Sequence, residues 1–182
     1  PLLVLSGAVR VRLGKPILFR QQRPGRDGAP FELFKLRTMT DARDSAGQLL
    51  PDAQRLTSFG SFLRRTSLDE LPEIWNVLRG EMSLVGPRPL LTRYTPFFRE
   101  DERLRMRVRP GITGWAQVNG RNLAPWDERL AMDAWYVRNM SFRLDARILL
   151  STVRRVFGGR GVVVDAASVM DNLDVERAGE SS

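Results

Sequence analysis

The stretch FLRRTSLDELPE, residues 62–73, decides the fold and the chemistry built around it. It places two adjacent carboxylates, Asp69 and Glu70, directly before an apolar helix that Gly80 is expected to end. The apolar side chains that share one face of this helix, at spacings of three and four, are Leu71, Ile74, Trp75 and Leu78. The stretch therefore predicts a helix that begins beside a pair of acidic groups.

Two interpretations of this helix start remain open. In one, Ser67 is the cap and Glu70, three residues later, completes a capping box. In the other, Pro72 is the first helical residue, a position that proline favours, and both carboxylates project from the helix start. Arg64 and the helix N-terminus would then attract a phosphate and keep Asp69 ionised, so that its carboxylate could attack phosphorus as a nucleophile.

Composition limits which groups could catalyse a reaction. The chain has 182 residues with no histidine and no cysteine, which excludes Ser-His-Asp and Cys-His relays, His or Cys zinc sites and disulfides. Carboxylates, arginine, lysine, hydroxyls or a hard metal ion remain. Because two carboxylates and a diphosphate repel one another, Mg²⁺ is the expected cofactor of a phosphoryl reaction at this pair.

The charge balance predicts an anionic partner. The 29 basic residues include only two lysines, Lys15 and Lys35, so 27 are arginines, and the formal net charge is +8. A nucleic-acid-binding domain without catalysis is the alternative that this excess allows. Scattered arginines, with no recognition helix, zinc finger or aromatic RNA-binding signature, favour phosphate-bearing small molecules and a lipid surface over nucleic acid.

A β-hairpin is predicted over residues 17–39, with a turn rich in glycine and proline at 23–30. In its second strand, alternation places Lys35 and Arg37 on the same face. That face could hold a phosphate, although a solvated strand face is the more usual fate of such charges.

The remaining patterns predict an α/β protein of the α+β type that is mostly helical. The expected elements are a short strand at 82–85, a rigid turn at Gly86–Pro89, a charged helix over 95–107, a glycine-rich loop over 109–121, a helix starting at Pro125 and a last helix over 144–157. Apolar stripes on the last two helices could lie on a membrane surface, but core packing is the favoured use.

The two ends of the chain differ from its body. Residues 1–14 are apolar and gain basic side chains toward their end, which suits either an interfacial helix or a buried one. Residues 158–182 begin with a Gly-Gly pair and carry more acidic than basic side chains. We expect this tail to be flexible and loosely attached.

Three blocks make the chain resemble the bacterial monotopic phosphoglycosyltransferases, also called sugar transferases or undecaprenyl-phosphate sugar phosphotransferases. They are FRQQRPGRDGAPFELFKLRTM at 19–39, GSFLRRTSLDELPEIWNVLRGEMSLVGPRPL at 60–90 and RPGITGWAQVNGRN at 109–122. The resemblance implies that an aspartate takes a phosphosugar from a UDP-sugar, releasing UMP, and passes it to a polyprenyl phosphate.

The resemblance also implies roles for individual residues. Asp69 matches the family's nucleophile, Glu70 its Mg²⁺ ligand, and Arg64 its phosphate-binding arginine. Lys35 would lie near the diphosphate. The residues matched to the nucleotide and substrate side are Pro87, Arg88 and Pro89 of the Pro-Arg-Pro turn, together with Arg37 and Arg109.

The family resemblance further implies a bacterial inner membrane protein whose catalytic domain lies on the cytoplasmic face. Residues 1–14 would be the remnant of a re-entrant membrane helix, in a chain that looks like a fragment and could have further helices upstream. Residues 15–157 would form the catalytic domain, with amphipathic interfacial helices and the tail 158–182 behind it. Self-association, the sugar and the glycan that is started are left open.

Overall fold

The computed structural model describes residues 2–119, 124–157 and 172–178. The predicted hairpin is confirmed: strand β1 (Leu18–Pro24) pairs antiparallel with strand β2 (Pro30–Leu36). A 3₁₀ turn (Arg26–Gly28) joins them, with left-handed backbone at its last two residues. Because cross-strand partners share a face of such a pair, Lys35 and its partner Phe19 point to the same side of the hairpin.

A second, parallel pair of strands and eight α-helices make up most of the remaining described structure. The strands are β3 (Ser83–Val85) and β4 (Gly111–Thr113). The helices are α1 (Leu2–Leu13), α2 (Asp52–Arg55), α3 (Ser58–Arg65), α4 (Glu73–Leu78), α5 (Trp115–Asn119), α6 (Trp126–Asn139), α7 (Phe142–Phe157) and α8 (Leu173–Ala178). The mixed helical protein with small sheets is thus as predicted.

Helix α3 lies against the hairpin and thereby positions the segment that leads to α4. Thr57 caps α3 by accepting a hydrogen bond from the Gly60 amide. A side chain at Gly60 would collide with the backbone of Thr38, so this glycine inside a helix permits close contact with the end of the hairpin. Leu63 packs with Leu36 in one core cluster.

Helix α4 buries its polar side instead of its apolar one. Glu73 and Asn76 are buried, whereas Trp75 is 56% exposed and Leu78 is 74% exposed. The Asn76 side chain accepts a hydrogen bond from the Phe34 amide and donates to the Glu32 carbonyl oxygen and to Glu81. The Asn76 side chain thus hydrogen-bonds to backbone groups of β2, as a neighbouring strand would, and holds α4 against the hairpin.

The charged helix predicted over 95–107 is wrong. Two 3₁₀ segments occupy the region, Thr92–Phe97 and Glu102–Arg107, with extended backbone at Phe98 between them. Pro96 lies inside the first segment, and a proline lacks the amide hydrogen that a continuous α-helix would need.

The C-terminal helices differ in part from the prediction. In α6, Leu130 and Ala134 are buried, whereas Ala131 and Trp135 of the same predicted inner side are exposed. In α7, Ile148 is fully buried, but Leu149, Val153 and Val156 are exposed, so core packing is the wrong prediction for most of this stripe. Among the described residues, no helix combines the length and apolar character needed to cross a bilayer.

Part of the predicted flexible tail is ordered against the body. Residues 172–178 include helix α8, whose Leu173 is fully buried in a cluster with Tyr94 and Trp126. Loose attachment therefore does not describe these residues. The rest of the predicted tail, 158–171 and 179–182, lies outside the described residues.

Candidate active site

The two carboxylates lie on a 3₁₀ turn (Leu68–Glu70) between α3 and α4. Ser67 has left-handed backbone and caps nothing with its side chain, so the capping-box interpretation is wrong. Pro72 is the N-cap of α4 rather than its first residue. Asp69 and Glu70 therefore precede the helix, as the second interpretation required.

Glu70 is held by two cations at a single oxygen. The Lys35 ammonium and the Arg88 guanidinium both donate to Glu70 Oε1, each at 2.7 Å. Lys35 also lies 3.2 Å from a carboxylate oxygen of Glu73, the first residue of α4. The hairpin, the turn before α4 and the Pro-Arg-Pro turn thus meet at one carboxylate.

Asp69 is buried but is left without a partner among the described side chains and backbone groups. It is 7% exposed, and its carboxylate makes no hydrogen bond or ion pair within the described residues. Burial raises the pKa of Asp69 to about 6, assisted by the charge of Glu70 and opposed by Lys35, Arg88 and Arg64. The three cations therefore lower the pKa less than burial raises it, yet the group remains mostly ionised at neutral pH.

The neighbouring carboxylates have opposite shifts. Burial alone would raise the pKa of Glu70, but the charges and hydrogen bonds of Arg88 and Lys35 outweigh it and lower the pKa well below its usual range. Burial raises the pKa of Glu73, because Lys35 only partly offsets it and the charge of Glu70 adds to it. Glu70 is thus the fixed anion of this cluster.

Arg64 and the Pro-Arg-Pro turn also lie at the site. Arg64 is one of the charges that act on Asp69, and its Nε donates to the Thr38 hydroxyl at 3.1 Å. Pro87 is buried and its carbonyl accepts from the Gly111 amide, which ties the turn to β4. Pro89 completes the turn and is partly exposed.

The structure does not bring Arg37 and Arg109 to the dyad formed by Asp69 and Glu70. Arg37 is buried and donates to the carbonyl oxygens of Met39 and Lys15, and it pairs with Asp41 at 2.6 Å. These contacts brace the end of the hairpin. Arg109 is exposed and makes no described ion pair or hydrogen bond with either dyad carboxylate. Substrate binding by these two arginines stays a prediction.

Sequence reasoning missed the buried supports of Arg88. Arg105 donates to the Arg88 carbonyl oxygen at 2.6 Å and forms a buried ion pair with Asp133 of α6 at 3.0 Å. Asp133 follows Leu130 by three residues, on the inward face of α6. A charged residue on an apolar helix face was the available signal.

The Asp69 and Glu70 carboxylates suit a hard metal ion whose remaining coordination positions are filled by a bound ligand. Both oxygens of Asp69, and Oε2 of Glu70, accept no hydrogen bond from the described residues. No cluster of three or more His, Cys, Asp or Glu ligands occurs in the part of the chain that the structure describes. Mg²⁺ usually takes one or two protein carboxylates plus substrate phosphates, so this donor set fits it.

Comparison with known proteins finds bacterial sugar transferases. A family model described as bacterial sugar transferase matches residues 1–159. An uncharacterized sugar transferase, EpsL of Bacillus subtilis, is 53% identical over 161 residues, which cover 88% of this chain and 80% of the relative. A UDP-glucose:undecaprenyl-phosphate glucose-1-phosphate transferase of Xanthomonas campestris is 44% identical over 86% of this chain.

A relative whose name carries a different sugar is also similar. The undecaprenyl-phosphate galactose phosphotransferase of Salmonella typhimurium is 37% identical over 173 residues and 86% of this chain. The chain spans 36% of the length of this relative and 35% of the Xanthomonas relative. The range matched by the family model includes the turn that carries Asp69 and Glu70.

Proposed function

This chain belongs to the bacterial sugar transferase family, and on that premise we propose that it transfers a sugar 1-phosphate from a UDP-sugar to a polyprenyl phosphate. The observation that carries the proposal is the Asp69 carboxylate, buried and without a described partner, beside the anchored Glu70. Relatives named as sugar-phosphate transferases to undecaprenyl phosphate support the substrate pair.

The proposed reaction has two displacement steps at phosphorus. In the first, an Asp69 carboxylate oxygen attacks the sugar-bearing β-phosphorus, the bond from this phosphorus to the bridging oxygen breaks, and UMP leaves with that oxygen. In the second, a phosphate oxygen of the polyprenyl phosphate attacks the same phosphorus. The bond to Asp69 breaks, the carboxylate is regenerated, and a polyprenyl diphosphate sugar is formed.

The chain's own residues would divide the remaining work. Lys35 and Arg88 hold Glu70 in place at one oxygen, which leaves its second oxygen for a ligand. Arg64 contributes a positive charge beside Asp69. Mg²⁺, held by Glu70 and the substrate phosphates, would supply the positive charge that two carboxylates and a diphosphate require.

A membrane-face location accompanies this function. Side chains on three separate helices expose large apolar groups: Leu3 and Val4 on α1, Trp75 and Leu78 on α4, and Phe142 on α7. Such groups, with the excess of arginine, suit a bilayer with anionic headgroups. We propose the cytoplasmic face of the bacterial inner membrane, with residues 1–14 as part of a re-entrant helix, 15–157 as the catalytic domain and 158–182 as its tail.

Release of UMP from a panel of UDP-sugars tests this function. With Mg²⁺ and undecaprenyl phosphate present, at least one UDP-sugar should yield UMP and a lipid-linked diphosphate sugar, and omission of either Mg²⁺ or the lipid should stop turnover. The absence of turnover with every UDP-sugar, together with tight, salt-dependent binding of DNA or RNA, would replace this proposal by the nucleic-acid alternative.

A further inference from the structure

Two arginines near the Pro-Arg-Pro turn lack an anionic hydrogen-bond partner among the described residues. Arg23, near the end of β1, donates one hydrogen bond to Gln21 at 2.6 Å, and its buried Nε has no acceptor within the described residues. Arg129 of α6 is partly buried and makes no described hydrogen bond or ion pair. Its guanidinium lies 4.3 Å from the centre of the Trp126 ring, which leaves its N–H groups available.

The hairpin register places Arg23 on the face that carries Lys35. Lys35 is opposite Phe19, and Arg23 lies four residues further along the same strand as Phe19. Because alternate residues of a strand share a face, the two cations point to the same side of the sheet. At roughly 3.3 Å per residue, the backbone of Arg23 lies about 13 Å along the strand from Phe19, the residue opposite Lys35.

Helix α6, which carries Arg129, is joined to the turn that carries Arg88. Asp133, one helical turn after Arg129 and on the same side of α6, pairs with Arg105. Arg105 in turn donates to the carbonyl oxygen of Arg88. Asp133 and Arg105 therefore connect α6, the helix of Arg129, to the Pro-Arg-Pro turn, which contains Arg88.

The electrostatics of Arg23 and Arg129 agree with this placement. Burial and then the charge of Arg88 lower the pKa of Arg23 to about 10. Burial and then the charge of Arg88 also lower the pKa of Arg129. The charges of Glu73, which acts on Arg23, and Asp133, which acts on Arg129, offset these shifts only in part. Both groups thus feel the same third guanidinium.

Other arginines of this protein show what a purely structural arrangement looks like. Arg37 pairs with Asp41, Arg105 with Asp133, and Arg177 with Glu102, each at 3.0 Å or less. Buried charges in folded proteins are generally paired, because removing an unpaired ion from water is costly. The pair Arg23 and Arg129 departs from this pattern.

The carboxylates of the dyad and of Glu73 do not pair with Arg23 or Arg129. Their described ion pairs are with Lys35 and Arg88. A substrate with two or more phosphate charges needs further positive charge on its path to Asp69. Arg23 and Arg129 are described residues that have such charge to offer.

We propose that Arg23 and Arg129, together with Arg88, form a phosphate subsite that adjoins the Asp69–Glu70 dyad, because Arg88 also donates to Glu70. The planar guanidinium forks suit the oxygens of a phosphate monoester or of one end of a diphosphate. The choice of ligand rests on the proposed function, which offers two sources: the nucleotide phosphate of the donor and the phosphate of the polyprenyl acceptor.

Charge-removing variants with controls on the same elements test the subsite. Arg23→Gln and Arg129→Gln are compared with Arg20→Gln, on the opposite face of β1, and with Arg138→Gln, on the exposed side of α6. Calorimetric titration of UMP into the full chain measures the nucleotide arm. The KM for undecaprenyl phosphate in mixed micelles, at saturating UDP-sugar, measures the lipid arm.

The expected result is a roughly tenfold weaker Kd for UMP or a roughly tenfold higher KM for the lipid in each subsite variant, with kcat nearly unchanged. The arm that responds identifies the source of the phosphate. Should a Gln variant fail to fold, Arg23→Lys or Arg129→Lys is measured instead, with about threefold weakening expected from loss of the fork.

Two further outcomes separate this subsite from the proposed function. If the enzyme turns over, unchanged UMP binding together with an unchanged KM for the lipid, relative to the two controls, overturns the subsite. If no UDP-sugar is turned over, unchanged UMP binding alone overturns it. If no UDP-sugar is turned over but UMP binding depends on Arg23 and Arg129, the subsite stands and the proposed function fails.

Discussion

Two ionic networks of this protein differ in how completely their charges are paired. The dyad network consists of Lys35, Asp69, Glu70, Glu73 and Arg88. The Arg177 network consists of Arg99, Glu102, Asp127 and Arg177. In the second, one guanidinium donates to both oxygens of Glu102, at 2.6 and 2.7 Å, and to Asp127 at 2.6 Å. In the first, three carboxylates share two cations and Asp69 receives no described hydrogen bond.

The difference separates a structural network from a reactive one. The Arg177 network satisfies its buried carboxylate and joins α8 to the body, so it stabilises the fold. The dyad network keeps a buried carboxylate free for a ligand at the expense of stability, a compromise that proteins make at functional sites. An unpaired buried carboxylate among paired charges is therefore the feature that distinguishes the candidate active site.

Asp69→Asn should have the largest effect on activity, and it should separate the reactive network from the structural one most clearly. We expect transfer to fall roughly 10³-fold or more, because an amide cannot form the phosphoryl bond. The free energy of unfolding should stay equal or rise by about 1 kcal/mol, since a buried unpaired charge is removed. UMP release and thermal denaturation measure the two effects, and a variant that loses both activity and stability would contradict the distinction.

Glu70→Gln should have the next largest effect on activity. It leaves Lys35 and Arg88 without their shared anion and weakens the proposed Mg²⁺ ligand, so we expect activity to fall roughly 100-fold. The Mg²⁺ concentration for half-maximal rate should rise. Glu32→Gln, on the exposed part of the hairpin, is the matched control and should behave as the wild type. A Mg²⁺ dependence identical in Glu70→Gln and wild type would remove Glu70 as a metal ligand.

Arg177→Met should affect stability rather than chemistry. It leaves the buried Glu102 without its partner, and losing one partner of a buried pair costs about 3–5 kcal/mol. Calorimetry should show Tm lowered by roughly 10 °C, at about 2–4 °C per kcal/mol for a chain of this size, with kcat per folded molecule retained. Arg93→Met breaks the partly exposed pair with Asp174 of the same helix, α8, and should change Tm by only about a degree or two.

A smaller effect concerns pH. Burial alone would raise the pKa of Glu102, but the hydrogen bonds and charge of Arg177, with the Arg99 amide, lower it below its unfolded value. A carboxylate with a lowered folded pKa contributes stability above its unfolded pKa and loses it as the pH falls through the folded one. The Tm gap between wild type and Arg177→Met should therefore narrow on acidification from about pH 7 toward about pH 3. A gap that widens in acid would contradict this.

Local sequence signals predicted much of the structure that surrounds the dyad. Turn residues predicted the hairpin, Gly80 the end of α4, and Pro72 the place of the acidic pair. These features depend on residues that are neighbours in the sequence, so they can be predicted from the sequence. The grouping of Lys35 with Glu70 was accessible only through family resemblance and strand alternation.

Long-range packing was not readable in the same way. The apolar face of α4 is exposed and its polar face is buried, because Asn76 and Glu73 find partners on β2 that no local pattern reveals. The exposure of the apolar stripe of α7 could not be predicted either, because long-range packing decides which face of a helix is buried. Arg23 and Arg129 look like two of 27 arginines until the fold shows that no described carboxylate hydrogen-bonds to them.

The most direct test of the central claim, that Asp69 is a nucleophile, is to trap it. The full chain is incubated with Mg²⁺ and a UDP-sugar that it turns over, without lipid acceptor, and then analysed by intact and peptide mass spectrometry. We predict a phosphosugar adduct on the peptide containing Asp69, absent in Asp69→Asn and discharged by undecaprenyl phosphate. An adduct on another residue, or one that persists in Asp69→Asn, would contradict the account.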